Sequence, residues 1–228
     1  MGRCGVPKNR GASMMVDFEA VIRHFWPKAL DTIRSWGQEV GDEKGLRAIR
    51  DANLDTRQVD LHHWFRLYNV FQGLTTIQRN LITEALLTWA DDARNQGRDL
   101  ATPEALAEAH KELEGTCQAC IMNLPDAKKH VFTSLASKAL WLCYPESVPL
   151  YDKYARNALH VIAKLEEGVD LIAGTKPEYE QFVHVWKQLY ERYSGTIESL
   201  EVDPSYPYRV RVFDMILWLI GQPPYRAD

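Results

Sequence analysis

Apolar residues recur at three- and four-residue intervals along most of this chain. Phe18, Val21, Ile22 and Phe25 open the first run, followed by Ala29, Ile33 and Trp36. That spacing gathers side chains on one face of an α-helix. A helix is therefore predicted over 17–38, interrupted or restarted at Pro27. Gly37, Gly41 and Asp42 read as a loop, 43–53 as a short helix carrying Leu46 and Ile49, and 55–59 as a connector. An aromatic-rich segment follows over 62–71 and ends at Gly73. Thr75 or Thr76 caps a long helix reaching about residue 95. Thr102-Pro103-Glu104 supplies a cap, a first-position proline and a first-turn acid for a helix running to Met122. Leu124-Pro125-Asp126 ends that helix. Thr175-Lys176-Pro177-Glu178 opens another, stopped by Ser194-Gly195. Pro204 and Pro207 make 199–208 a turn, and 210–220 forms the last helix. No alternating strand pattern exceeds four residues. The expected fold is all-α: a single globular helical domain of about 8–10 helices over 15–228. It is divisible into lobes 15–125 and 126–228 with a cleft between them, after a disordered extension over 1–14.

One stretch breaks the ordinary pattern. Val131, Leu135, Ala139 and Leu142 form an apolar helical stripe, widened by Phe132 and Leu140. Lys138 lies on that stripe or at its edge, with Ser134 one turn earlier on the same face. Burying an unpaired ammonium costs several kcal/mol by rough estimate. Lys138 must therefore either reach water or have a task. Pro145 closes the helix and Pro149 keeps Val148 extended. Asp152 then stands as the N-cap of a helix beginning at Lys153. Helix, break and helix bring Lys138 and Asp152 to one end of a helical pair if the turn folds back.

Charge is unevenly spread. The chain carries −4 overall, yet residues 126–164 hold six basic and three acidic side chains, a local +3. Lys128, Lys129, Lys153 and Arg156 near the helix starts could contact phosphates, or be solvated surface charge. Aromatic residues Trp141, Tyr151, Tyr154 and the cluster that begins at His62 could line a pocket, or be core. Cys4, Cys117, Cys120 and Cys143 do not form a disulfide framework, and Cys117-x-x-Cys120 lacks two further ligands for zinc. No cofactor and no metal are expected. No apolar run is long enough for a membrane span, and residues 1–13 lack the apolar core of a secretory signal. A cytoplasmic monomer is expected.

The pattern Ala136-Ser137-Lys138-x-Leu140, Pro145, Val148-Pro149-Leu150-Tyr151-Asp152 and Arg156 resembles the helix-hairpin-helix DNA glycosylase superfamily. The 8-oxoguanine and endonuclease III relatives belong to it. It is also similar to bacterial proteins of oxoguanine-glycosylase fold, some linked to phage defence. The last helix, with Arg211, Asp214, Trp218 and Gly221, resembles the end of those proteins. The resemblance implies a lysine, here Lys138, that forms a Schiff base with the sugar. It implies an aspartate, here Asp152, that assists base loss. It makes DNA bearing a modified or damaged base the partner, with Ser134 and Ser137 joining the basic residues as DNA contacts. Where the family's hairpin carries glycines, this chain has Thr133–Ser137 with none.

Three functions follow. The first is N-glycosidic cleavage of a modified base, in repair or phage defence. A non-catalytic helical module that binds DNA or protein is the second, with Lys138 and Asp152 as a structural ion pair. The third is a ribonuclease of HEPN type, since Arg57 and His62 have that spacing.

Overall fold

The computed structural model describes residues 17–125, 129–166, 168–169 and 178–223. Ten helices and no β-strand occur among the described residues: α1 (Phe18–Ser35), α2 (Gln38–Arg50), α3 (Arg57–Leu67), α4 (Thr76–Gln96), α5 (Pro103–Met122), α6 (Thr133–Cys143), α7 (Lys153–Leu165), α8 (Glu178–Arg192), α9 (Ser194–Ser199) and α10 (Arg209–Gly221). The all-α expectation holds. The extension over 1–14, Lys128 and the helix start at 175–177 lie outside the described residues.

Local chemistry sets most boundaries. Asp17, Thr75, Thr102 and Asp152 each cap a helix by accepting a backbone N–H. At α4 the cap is reciprocal, because Gln78 returns a bond to the Thr75 N–H. Pro27 lies inside α1 without ending it.

Two expected starts differ. α2 starts at Gln38, because Gly37 adopts a left-handed φ of 64° and turns the chain straight into it. Gly41 is not a loop residue: it lies within α2 and faces the Leu67 side chain of α3, while Gly45, one turn on, lies so close to the Trp64 ring that a Cβ would crowd it. α3 begins at Arg57, within the segment read as a connector, because Arg57 folds back onto the carbonyls of Ala48 and Ile49. α8 ends at Arg192, just before Ser194-Gly195 as expected, and that pair then opens the short helix α9.

Two helices are enclosed. Every residue of α6 from Leu135 to Leu142 is buried. α10 is buried from Val210 to Leu217, between α1 and α7. The early and late parts of the chain thus close on each other through α1 and α10. The residues between α6 and α7 thread past α10, and the candidate site forms there.

Candidate active site

Because α6 is enclosed, Lys138 is buried, only 5% exposed, and meets solvent only through the cavity that it lines. Its Nζ donates to Ser134 Oγ at 2.7 Å and to the Tyr151 carbonyl at 3.2 Å. An ammonium has three donor positions, which leaves one for the cavity that Lys138 lines. Burial pushes its pKa down to about 8. Asp152 opposes that, Arg211 adds to it, and Asp214 opposes it.

The connection from α6 to α7 is buried over Val148–Tyr151 without being helical; the Val148 N–H still reaches the Tyr144 carbonyl, and side chains satisfy the amides that follow. Pro149 has no N–H to satisfy. The Leu150 N–H donates to Asp214 Oδ2 at 2.8 Å. The Tyr151 N–H donates to Ser137 Oγ at 3.1 Å. Asp152 comes next: its Oδ1 accepts the Tyr154 N–H at 2.7 Å and starts α7. Lys138 and Asp152 therefore have separate partners, and Asp152 acts on the amine as a nearby charge.

Two charged residues of α10 complete the site. Asp214 Oδ1 also accepts the Trp186 indole N–H at 2.8 Å. Burial raises its pKa to about 7 against the pull of the Leu150 N–H, Arg211, Trp186 and Lys138. Arg211 donates from Nε to the Tyr68 hydroxyl at 3.2 Å and from Nη2 to Gln38 Oε1 at 2.7 Å. The Tyr68 hydroxyl in turn donates a hydrogen bond to Asp42 Oδ1 at 2.7 Å. Trp64 and Tyr206 also donate to Asp42, whose pKa burial raises. The Arg211 charge is thus neutralised through a tyrosine relay rather than by a direct carboxylate.

These groups surround a cavity of about 430 Å³. Ser134, Lys138, Asp152, Arg211 and Asp214 give it a polar, charged lining. Trp36, Tyr68 and Trp218 supply aromatic surface, while Gln38, Asn69 and Gln72 supply amides. Trp36, 46% exposed, meets Trp218 edge-on at 4.7 Å between ring centres. Both parts of the chain contribute, with Trp36 to Gln72 from the first and Ser134 to Trp218 from the second. A volume of this size falls in the range of small-molecule pockets.

Several sequence candidates sit elsewhere. Trp141 is core, its indole plane lying parallel to Trp64 at 6.1 Å. The Tyr151 ring packs edge-on against Phe182, and only its backbone serves the site. Tyr154 packs against Trp218, behind the aromatic lining. His62 lies edge-on to Phe71 on α3 and does not line the cavity; burial and Arg66 lower its pKa. Ser137 latches the Tyr151 amide. Lys129 and Lys153 are exposed, and Arg156 forms an ion pair with Glu178. Arg57 is bound twice by Asp91, at 2.5 and 2.7 Å, and is tied to the Ala48 carbonyl. That bonding explains Arg57 as a link between α2, α3 and α4. Tyr68, within the aromatic cluster over 62–71, does line the cavity, whereas Arg211, Asp214 and the two tryptophans were missed as site residues. The available signal was a pair of opposite charges three apart in a run that is apolar from Val212 to Ile220 apart from Asp214.

Among the described residues no group of three or more His, Cys, Asp or Glu could hold a metal ion, and no helix is long and apolar enough to cross a membrane. Cys117 is a buried thiol whose pKa burial raises. Comparison with protein-family models, curated proteins and solved structures found no match.

Proposed function

We propose that this protein is a DNA N-glycosylase that receives a modified or damaged base in the cavity between α3, α6 and α10. The observation that carries this reading is one buried amine, with its pKa lowered to about 8, lining the same cavity as Asp152. An amine with that pKa is about one-tenth neutral at pH 7, against a fraction below a thousandth for an ordinary lysine. The aromatic lining suits a base taken out of the stack.

The chemistry has a simple balance. The neutral Lys138 nitrogen forms a bond to the sugar C1′ as the bond from C1′ to the base breaks. The electron pair leaves with the base, which takes a proton from solvent. Nitrogen then loses a proton, and the C1′–O4′ bond opens with its electron pair staying on O4′, which takes up a proton, leaving the protonated imine between Lys138 and C1′. Asp152 supports the positive charge that develops on the sugar as the base departs. If water attacks C1′ in place of Lys138, the same Asp152 role yields a hydrolase without imine formation. The setting, repair or defence against modified phage DNA, comes from the sequence resemblance alone.

A non-catalytic binding module is the second reading, favoured by the glycine-free segment Thr133–Ser137. One experiment separates the two. Duplex and single-stranded DNA carrying a panel of damaged and phage-type modified bases is incubated with the protein, and released base is measured by mass spectrometry. Release that Asp152→Asn abolishes supports the glycosylase. Tight DNA binding with no release from any substrate supports the module.

A further inference from the structure

We propose that Asp214 is a positioning residue: by gripping the Leu150 amide it holds the segment 150–152, and hence Asp152, in register with Lys138. Only the kinetic part of this inference rests on the glycosylase reading.

The geometry is specific. Leu150 and Tyr151 are buried yet belong to no helix, so no ladder of backbone bonds fixes them. Side chains do it instead. Asp214 takes the Leu150 N–H, Ser137 takes the Tyr151 N–H, and Lys138 takes the Tyr151 carbonyl. Asp152 is the next residue and begins α7. Asp214 itself cannot swing, because its other oxygen is held by the Trp186 indole on α8. A buried carboxylate is costly, and an apolar residue at 214 would pack more cheaply. The Leu150 grip is the return on that cost.

The grip depends on charge. The groups facing Asp214 are Lys138 of α6, Arg211 of its own helix, and Tyr179, Trp186 and Tyr190 of α8. Asp152, opening α7, shares the cavity, to which α2 adds Gln38 and the end of α1 adds Trp36, both uncharged. Protonation of Asp214 removes its charge and turns one of its two oxygens into a hydroxyl, a much weaker acceptor, so the bonds to Leu150 and Trp186 weaken. The segment loosens where Asp214 is neutral and tightens where it is ionised.

Two measurements test this. The first needs no DNA: amide hydrogen exchange of Leu150 and Tyr151, corrected for intrinsic rate, in wild type and Asp214→Asn. Relative to the interiors of α6 and α10 at the same pH, protection at these amides should rise as the wild type passes upward through pH 7, and fall at least about tenfold in Asp214→Asn. Equal protection in both proteins, flat with pH, overturns the proposal. Should Asp214→Asn not fold, the wild-type pH series alone decides. The second is a double-mutant cycle on base release. Asp214→Asn should lower kcat about tenfold or more with KM unchanged, and cost nothing further when added to Asp152→Asn. Full additivity overturns positioning through Asp152. A wild type that releases no base overturns the glycosylase reading and leaves the exchange measurement to judge Asp214.

Discussion

Lys138 is bonded to the backbone of the residue that precedes Asp152: its Nζ donates to the Tyr151 carbonyl at 3.2 Å. Amine and carboxylate are thus coupled through one peptide unit rather than by direct pairing. A direct pair would hold Lys138 as a stable cation. The observed arrangement leaves its pKa lowered to about 8 while fixing where the carboxylate sits.

The buried amine should weaken the fold. Its lowered pKa corresponds to about 3 kcal/mol of desolvation penalty at pH 7, and its two hydrogen bonds return about 2. Lys138→Met is therefore expected to raise unfolding stability by about 1 kcal/mol at pH 7, measured by urea denaturation. A loss of several kcal/mol would identify Lys138 as a structural cation.

Stability should depend on pH with opposite signs from the two buried groups. Asp214 has its folded-state pKa raised to about 7, so its contribution is full below about 4 and is lost, by about 4 kcal/mol, as pH rises through 7. Lys138 has its folded-state pKa lowered to about 8, so its contribution is full above about 10.5 and is lost as pH falls through 8. The site's own contribution is then lowest between pH 7 and 8. The gain from Lys138→Met should shrink as denaturation is repeated at rising pH above 8, and a gain that grows there would reverse the sign.

Asp152 has two tasks that substitution can separate. Asparagine caps a helix about as well as aspartate, so Asp152→Asn should unfold within about 0.5 kcal/mol of wild type. Asp152→Ala should lose about 1 kcal/mol. Base release should fall about a hundredfold or more in both, since both lack the charge. Asp152→Asn with full activity would confine Asp152 to capping.

Close packing of α7 on α10 places Gly221 against the Tyr154 carbonyl, where a Cβ would overlap it. Gly221→Ala should cost about 2 kcal/mol, read by thermal unfolding. No change would mean the end of α10 yields freely.

The helical pattern made most of the fold legible. Capping residues at Asp17, Thr75, Thr102 and Asp152 were readable because they act on amides two or three residues away. Lys138 stood out because its charge contradicted the apolar stripe around it. Long-range relationships were hidden. Nothing local says that Asp214 reaches Leu150, 64 positions away, or that Tyr68 of one segment relays between Arg211 and Asp42. Aromatic residues misled for the same reason: Trp141 and Trp218 look alike in sequence, and only packing puts Trp141 in the core and Trp218 at the cavity. Gly41 read as a loop because its place inside α2, facing Leu67, is set by a different helix.

The most direct test of the tuned amine is covalent capture. Once a DNA substrate is found by base release, it is incubated with the protein and borohydride, and the adduct is digested and mapped. The account predicts a DNA adduct on Lys138, absent in Lys138→Gln, whose yield rises about tenfold per pH unit and levels off near 8. Base release without any adduct, and undiminished in Lys138→Gln, would contradict a nucleophilic Lys138.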